Sequence, residues 1–485
     1  LQSIADGVIT TDINGKVSFI NPVAERMSGW RIEEARQRPL AEVMQLVDES
    51  TKQAIEIPIQ EWLTSGQQTE LANPAVLIQK GRGGEASIEL AGSPIRDSEQ
   101  NIIGSVMVFH DVTRLRTLAM QLSHQATHDG LTGLLNRVAF DARVEQAIRS
   151  ARRAHDYLMA GFTTVRDMGG NSVGVQKALD AGMFPGPRIY SSGPSISQTT
   201  GHGDFRTAND GHPYFDGRER AGVADRLGFT RIADGVDEVR RAVRDNLFRG
   251  AAQIKIMTGG GVTSFTDPLF APQYSPEEIK AAVDEATRYG TYVAVHAQTN
   301  AGVVAALDAG AISIEHGLIL EEDTVKRMAK VGAYYNPQAF LALQDVSKNP
   351  MFQDPIQQEK NRQVAKGTPQ AIEWAKKYKV KFLWGTDVFF GDDAFVNFRQ
   401  EFAYRDRFFT PIEQMQQVTG NNGEVLALSG WKNPYPHGDL GVIKEGAYAD
   451  ILLIDGDPTQ DIRLLMDSAN VVLIMKDGKI YKNAL

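Results

Sequence analysis

QIKIMTGG at residues 253–260, TYVAVHAQ at 291–298, AISIEHG at 311–317 and VKFLWGTD at 380–387 decide how this chain folds. Each is a short apolar run, too brief for a buried helix, and each closes on a residue able to do chemistry. SPEEIKAAVDEATRYG (275–290) and EEDTVKRMAKVG (321–332) have helical periodicity and lie between them. FTTVRDMG (162–169), RIYSSG (188–193) and AYYNPQ (333–338) extend the alternation to seven candidate parallel strands. From Asp167 to Asp387 six repeats occupy 220 residues, about 37 each, the size of one βα unit in a (β/α)₈ barrel. A closed barrel of that kind has eight strands.

In parallel barrels the reacting groups sit at the C-terminal strand ends. Lys255, His296, His316 and Asp387 occupy that position. Imidazole and carboxylate suit zinc or a similar divalent ion, which acidifies bound water. Lys255 is out of place there, because an ammonium repels a cation and is costly to bury. A structural reading stands beside the chemical one: a lone histidine closing a strand is more often simply hydrogen-bonded, and a lone lysine salt-bridged.

The rest of the chain differs in character. Residues 1–113 alternate short strands and turns: GVITTD, the Asn14-Gly15 turn, KVSFIN, then ASIELAGSPI and GSVMVFHDVT, as in a small antiparallel sheet. The stretch DGVITTDINGKVSFINPVAERMSGW, closing with FHDVT, resembles a PAS sensor domain of α+β type. Leu115, Leu118, Leu122 and Ala126 recur at helical spacing over 114–126, an amphipathic helix suited to signalling or a dimer contact. It runs into THDGLTGLLNRVAFDARVEQAI, which resembles the start of a GGDEF diguanylate cyclase domain. That family's signature loop and metal-binding aspartates do not follow, so cyclase activity is not expected. His124 and His128 share a helical spacing but belong to this resemblance rather than to a metal site. At the other end GVIKEGAYADILLIDGDP (441–458) and NVVLIMKDGKIYKN (470–483) return to short strands.

QIKIMTGGGV, VAVHAQ, SIEHG and WGTD, with FTTVRDMGG, SISQTTGHGD and GAYADILLIDGDP, resemble the metal-dependent amidohydrolase superfamily, in its imidazolonepropionase-like and Xaa-Pro dipeptidase branch. The resemblance implies that Lys255 is carbamylated and bridges two metals. His296 and His316 would ligate the second ion, and Asp387 would ligate the first while shuttling a proton. His202 and Arg206 would hold substrate. Gln298 stands where carboxylate-recognising members carry an aromatic residue, which questions recognition of a C-terminal carboxylate. Such enzymes also begin with a strand ending in His-x-His, and none of the nine histidines here forms that motif.

The expected architecture is therefore α/β. A PAS-like domain spans 1–113 and a signalling helix with a truncated GGDEF start spans 114–150. An incomplete (β/α)₈ barrel without its first strand spans 151–430, and part of a β domain spans 431–485. The expected function is metal-dependent hydrolysis of small amide or peptide substrates, impaired by the missing histidines. The other reading is a PAS-containing signalling or interaction protein, or a non-functional chimera joined within AIRSARRAHDYL (147–158).

Composition bounds the partners. With 51 basic and 60 acidic side chains and no long basic run, nucleic acid is not an expected partner. No cysteine is present, which excludes disulfides, thiolate ligands and a flavin–cysteine photosensor. No apolar run is long enough to span a membrane, and LQSIADGV is not a signal peptide. A cytoplasmic protein is expected, with homo-oligomerisation through the PAS–helix segment or the barrel. Gly259–Gly261, lacking a following Lys-Ser/Thr, is read as a flexible strand-end loop rather than a phosphate cradle.

Overall fold

The computed structural model describes residues 6–48, 54–64, 69–70, 75–81, 85–113, 136–207, 209–214, 221–348, 352–387 and 398–485. They divide into two compact units, Leu1–Asn136 and Arg137–Leu485. The expected signalling helix and the HDGLTG stretch, with His124 and His128, lie outside the described residues.

The first unit is an antiparallel sheet. Its strands are β1 (Gly7–Asp12), β2 (Val17–Ile20), β3 (Gln45–Asp48), β4 (Ala54–Ile55), β5 (Thr69–Glu70), β6 (Ala75–Ile78), β7 (Glu85–Arg96) and β8 (Ile102–Asp111). The order is β2-β1-β8-β7-β6-β3-β4, with β5 against β7. The β1–β2 turn forms where Gly15 takes φ 73° and the Asp12 carboxylate accepts from the amides of Asn14 and Lys16; glycine meets that φ without a Cβ clash. The helix Pro22–Ser28 starts at an Asn21 cap and stops at left-handed Gly29, as the capping rules require. One face of the sheet, with this helix and the helix Ile59–Thr64, buries Ile9, Trp62, Leu77 and Phe109 together.

The second unit opens on a helix, Arg137–Met159, that runs unbroken through AIRSARRAHDYL. The parallel strands follow: β9 (Thr164–Asp167), β10 (Arg188–Ser191), β11 (Ser195–Ser197), β12 (Thr230–Ile232), β13 (Ile254–Met257), β14 (Val293–Thr299), β15 (Ser313–Ile319), β16 (Tyr334–Asn336) and β17 (Lys381–Phe382). Each of the seven segments read as a strand contains one. β11 and β12 are additional; at three residues each they are too short to show a pattern. β9 pairs with β10, and the longer path runs β12-β11-β13-β14-β15-β16-β17. The Ala252 amide, donating to Ser191 O at 2.7 Å, links β10 to the chain entering β13.

Helices cover this sheet from outside. Pro276–Arg288 begins with a Ser275–Glu278 capping box, and its buried face packs Ile279, Ala282 and Ala286 against Ile254, Val293 and Val295. Among the described residues no backbone pairing joins β17 to β9. The polar groups that follow β17 are met by side chains instead. Asn422 accepts from Trp384 N and donates to Trp384 O, while Asn421 donates to Phe382 O. Phe162 fills space beside them, its ring 5.5 Å from Trp384 and 5.3 Å from Phe398.

The last strands, β18 (Ile451–Ile454), β19 (Val471–Lys476) and β20 (Lys479–Asn483), form an antiparallel sheet. Leu158, from the opening helix, packs on Val471 and Ile474. β18 stays partly exposed, with Leu453 at 42%. Among the described residues no helix is long and apolar enough to cross a membrane.

Candidate active site

Lys255 is the second residue of β13, flanked by the fully buried Ile254 and Ile256. Alternation turns those two outward to the helices and Lys255 toward the interior. His296 lies on the neighbouring β14, where the register sets Met257 opposite His296 and Lys255 opposite Ala294. On β15 the residue opposite His296 is Glu315, and His316 follows with φ 71°. Asp387, just beyond β17, has φ 54°, and Gln338 beyond β16 has φ 43°. Three non-glycine residues in left-handed backbone, within β15 and just beyond β16 and β17, carry roughly 1–3 kcal/mol of strain each. Such strain persists where a site requires it.

The rings converge. His296 and His316 meet edge to face with centroids 4.5 Å apart, and His316 Nε2 is 3.7 Å from Asp387 Oδ2. His202 stacks on the other side of His296 at 3.9 Å with planes 13° apart. The His316 backbone amide donates to Gln338 Oε1 at 3.1 Å, and a His296 Nε2 contact to Gly260 O spans 3.2 Å. The structure thus brings Lys255, His202, His296, His316 and Asp387 together. Arg206 forms two hydrogen bonds to Asp204, at 2.7 and 2.6 Å. Gln298 is buried with its Oε1 unpartnered.

Beneath these groups lies an ion pair that the sequence reading missed. Arg166 of β9 donates to Glu315 at 2.7 Å, and Ser313 and Asn336 also donate to that carboxylate. Burial alone would raise Glu315, but Arg166 and Lys255 outweigh it and bring its pKa down to about 2. A charged residue inside the otherwise apolar strand SIEHG was the available signal. Gln338, Ser264, Asp267 and Lys360 were also missed, because they act across long sequence separations.

Charge and burial tune the cluster. Burial, aided by Arg166, lowers the Lys255 ammonium against the opposing pull of Glu315 and Asp387. No hydrogen-bond partner reaches it among the described residues. Burial holds His296 well below the ordinary imidazole range and, with Lys255, takes His316 to about 3. Partial desolvation raises Asp387 to about 6, with Lys255 opposing, although 39% of its side chain stays open to solvent. Neutral imidazoles keep their lone pairs, and a carboxylate that titrates near neutrality can exchange a proton. These donors suit a divalent ion in type, yet among the described residues no three His, Asp or Glu side chains form a closed metal cage.

The Gly259–Gly261 loop corrects the sequence reading of a flexible segment. Gly259 bridges to Pro272, and the Gly261 amide donates to Asp267 at 2.8 Å. Gly260 has room for no Cβ, since one would lie 2.1 Å from Pro268 O. Glycine serves here for close backbone approach.

Comparison with known proteins agrees with this geometry. Residues 1–112 match the PAS fold. Ochratoxinase of Aspergillus niger is 34% identical over 339 residues, 69% of this chain and 68% of that protein. Its crystal structure superposes with a TM-score of 0.62 at 31% identity, covering 70% of this chain and 76% of that one. A prolidase solved with N-methylphosphonate-L-proline matches at 34% identity and TM-score 0.62, covering 70% and 80%. A probable diguanylate cyclase of Escherichia coli is 33% identical over 181 residues, 36% of this chain but only 16% of that protein. The amidohydrolase model matches residues 131–481, most of the chain and all the strand-end residues described above, and the chain belongs to the amidohydrolase family.

Proposed function

We propose that this chain is a metal-dependent hydrolase of amide or peptide bonds in small substrates, of dipeptidase or carboxypeptidase type, weakened by the lack of a His-x-His pair. The observation that carries the reading is the convergence of His296 of β14, His316 of β15 and Asp387 beyond β17 near Lys255 of β13, which has no hydrogen-bond partner among the described residues. Kinship with a prolidase and with ochratoxinase supports amide substrates.

Lys255, His296 and His316 would hold the ion, zinc by donor type, with Asp387 beside it. When bound, that ion polarises the substrate carbonyl and acidifies water. The lowered pKa of Lys255 favours its free amine, which can add carbon dioxide and release a proton to become a two-oxygen carbamate. That converts an ill-suited cation into an anionic ligand. Asp387, tuned to about 6, takes a proton from the attacking water on its Oδ2 and returns it to the leaving nitrogen. The edge between β17 and β9, unpaired among the described residues, is where a first strand with two histidines would lie. Without it, one ion rather than two is expected. His202 and Gln298 line the substrate side, and Gln298 offers an amide to a neutral hydrogen-bonding group instead of a carboxylate.

The test is the metal content of protein grown with added zinc, measured beside hydrolysis of a panel of dipeptides and N-acyl amino acids. About one ion per chain with slow hydrolysis is expected. No bound metal and no hydrolysis would sink the proposal.

The PAS match supports a second role, in which residues 1–113 sense a ligand or form a homodimer with the helix that follows. Sedimentation of a fragment ending near residue 126 decides the dimer: a strict monomer counts against it.

A further inference from the structure

Lys360 lies on the helix Pro355–Lys377, outside every motif read from the sequence, and is buried. Its ammonium donates to three backbone carbonyls of one loop: Gly261 O at 3.0 Å, Ser264 O at 2.9 Å and Asp267 O at 2.6 Å. An ammonium has three donors, and all three are spent on seven residues of chain. Its charge also faces Asp267, with Nζ 3.7 Å from Oδ1. One turn earlier Gln357 donates to Thr263 O at 2.6 Å, so two residues of one helix face hold the same loop.

The loop in turn holds His202. Ser264 Oγ lies 2.7 Å and Asp267 Oδ2 3.5 Å from His202 Nδ1. Asp267 Oδ2 also accepts from the Gly261 amide at 2.8 Å and from Gln273 Nε2 at 3.3 Å, while Gln273 Oε1 accepts from the His202 amide at 3.0 Å. Gly261 lies against the imidazole so closely that a Cβ there would be 2.0 Å from Cε1. A carboxylate only accepts, and the Ser264 hydroxyl, donating to Asp267, is left to accept, so the Nδ1 of His202 carries the proton that faces this pair. Its Nε2 has no protein partner among the described residues and keeps a lone pair.

From this geometry we infer that Lys360 is a positioning residue: by gathering the 261–267 carbonyls it fixes His202 against His296 as the Nδ1–H tautomer, presenting Nε2 as an acceptor for a substrate N–H or O–H. The placement stands on the structure alone; its effect on turnover rests on the hydrolase reading.

The test uses the full chain labelled with ¹⁵N-histidine, with the His202 signals assigned by difference from His202→Asn. The wild type is expected to show a protonated Nδ1 and an unprotonated Nε2 at His202. Lys360→Met is expected to give mixed tautomers, and Lys360→Arg to restore the pattern. Asp267→Asn, which can donate as well as accept, should lose the preference too and serves where Lys360→Met does not fold. In steady-state assays the methionine variant should raise KM about tenfold, the equivalent of one hydrogen bond, with kcat changed far less. A wild type protonated on Nε2, or a folded Lys360→Met with unchanged tautomer and KM, overturns the inference. If no substrate is hydrolysed by the wild type, the hydrolase reading fails and the tautomer alone decides.

Discussion

The imidazole of His202 lies flat on that of His296, centroids 3.9 Å apart and planes 13° apart, though 94 residues separate them in the chain. The two rings are therefore in direct contact, His202 on one side of a candidate metal ligand. Gly261 is the sensitive point. Gly261→Ala should push His202 off the stack, because a Cβ meets the ring at 2.0 Å. We expect kcat/KM to fall about 10- to 100-fold, in line with the cost of small misplacements, with bound metal unchanged. A crystal structure of the variant showing the stack intact would remove the explanation.

The approach to Asp387 is braced from below. Arg405 is fully buried with Glu401 and donates to Leu383 O at 2.8 Å and Gln417 Oε1 at 2.6 Å, while Glu401 accepts from the amides of Ala339 and Phe340. Arg405→Met leaves that carboxylate buried without its counter-charge. A loss of about 3–5 kcal/mol is expected, read from urea unfolding. A loss under 1 kcal/mol would mean that solvent reaches the pair.

Asn422 replaces strand pairing for Trp384, with contacts at 3.1 and 2.9 Å. Asn422→Ala strands two buried backbone groups and should cost roughly 1–3 kcal/mol. Because those bonds steady the chain three residues before Asp387, activity should fall as well. Unchanged stability would indicate that water serves the strand equally.

Gln298 carries a buried, unpartnered Oε1. Replacing it with apolar Met removes an unmet acceptor, so the melting temperature should hold or rise. KM should rise in the same variant, since the lost amide faces substrate in our reading. A lower melting temperature with KM unchanged would place Gln298 in a structural role.

Stability of the metal-free protein should drop as pH falls. The folded-state pKa of His316 is lowered to about 3 and that of His296 well below 6.5, so each contributes stability above the unfolded value that is lost as pH decreases through and below it. Glu315, lowered to about 2, acts the same way below its unfolded value of about 4.3. Asp387, raised to about 6, opposes them: between its unfolded value and about 6 the folded state binds the extra proton. Between pH 7.5 and 5 the two histidines act against Asp387 alone, Glu315 adding its loss only at lower pH, and a lower urea midpoint is predicted at pH 5 than at pH 7.5. The reverse order would show that Asp387 dominates.

The sequence by itself determined seven of the nine parallel strands, the α/β alternation and four of the converging residues, because parallel strands write themselves as continuous apolar runs that carry their chemistry toward the C-terminal side. It also made the missing His-x-His plain, an absence readable by inspection. Only the tertiary structure decided what surrounds those residues. Arg166 meets Glu315 and Lys360 meets the Gly261–Asp267 loop across about a hundred residues or more, and nothing in the local pattern at either partner records the other. The left-handed backbone at His316, Gln338 and Asp387 was equally hidden, since ordinary propensity argues against it and only packing from several strands holds it. Periodicity encodes which face of an element is buried; which distant charge or carbonyl awaits there is settled when the faces meet.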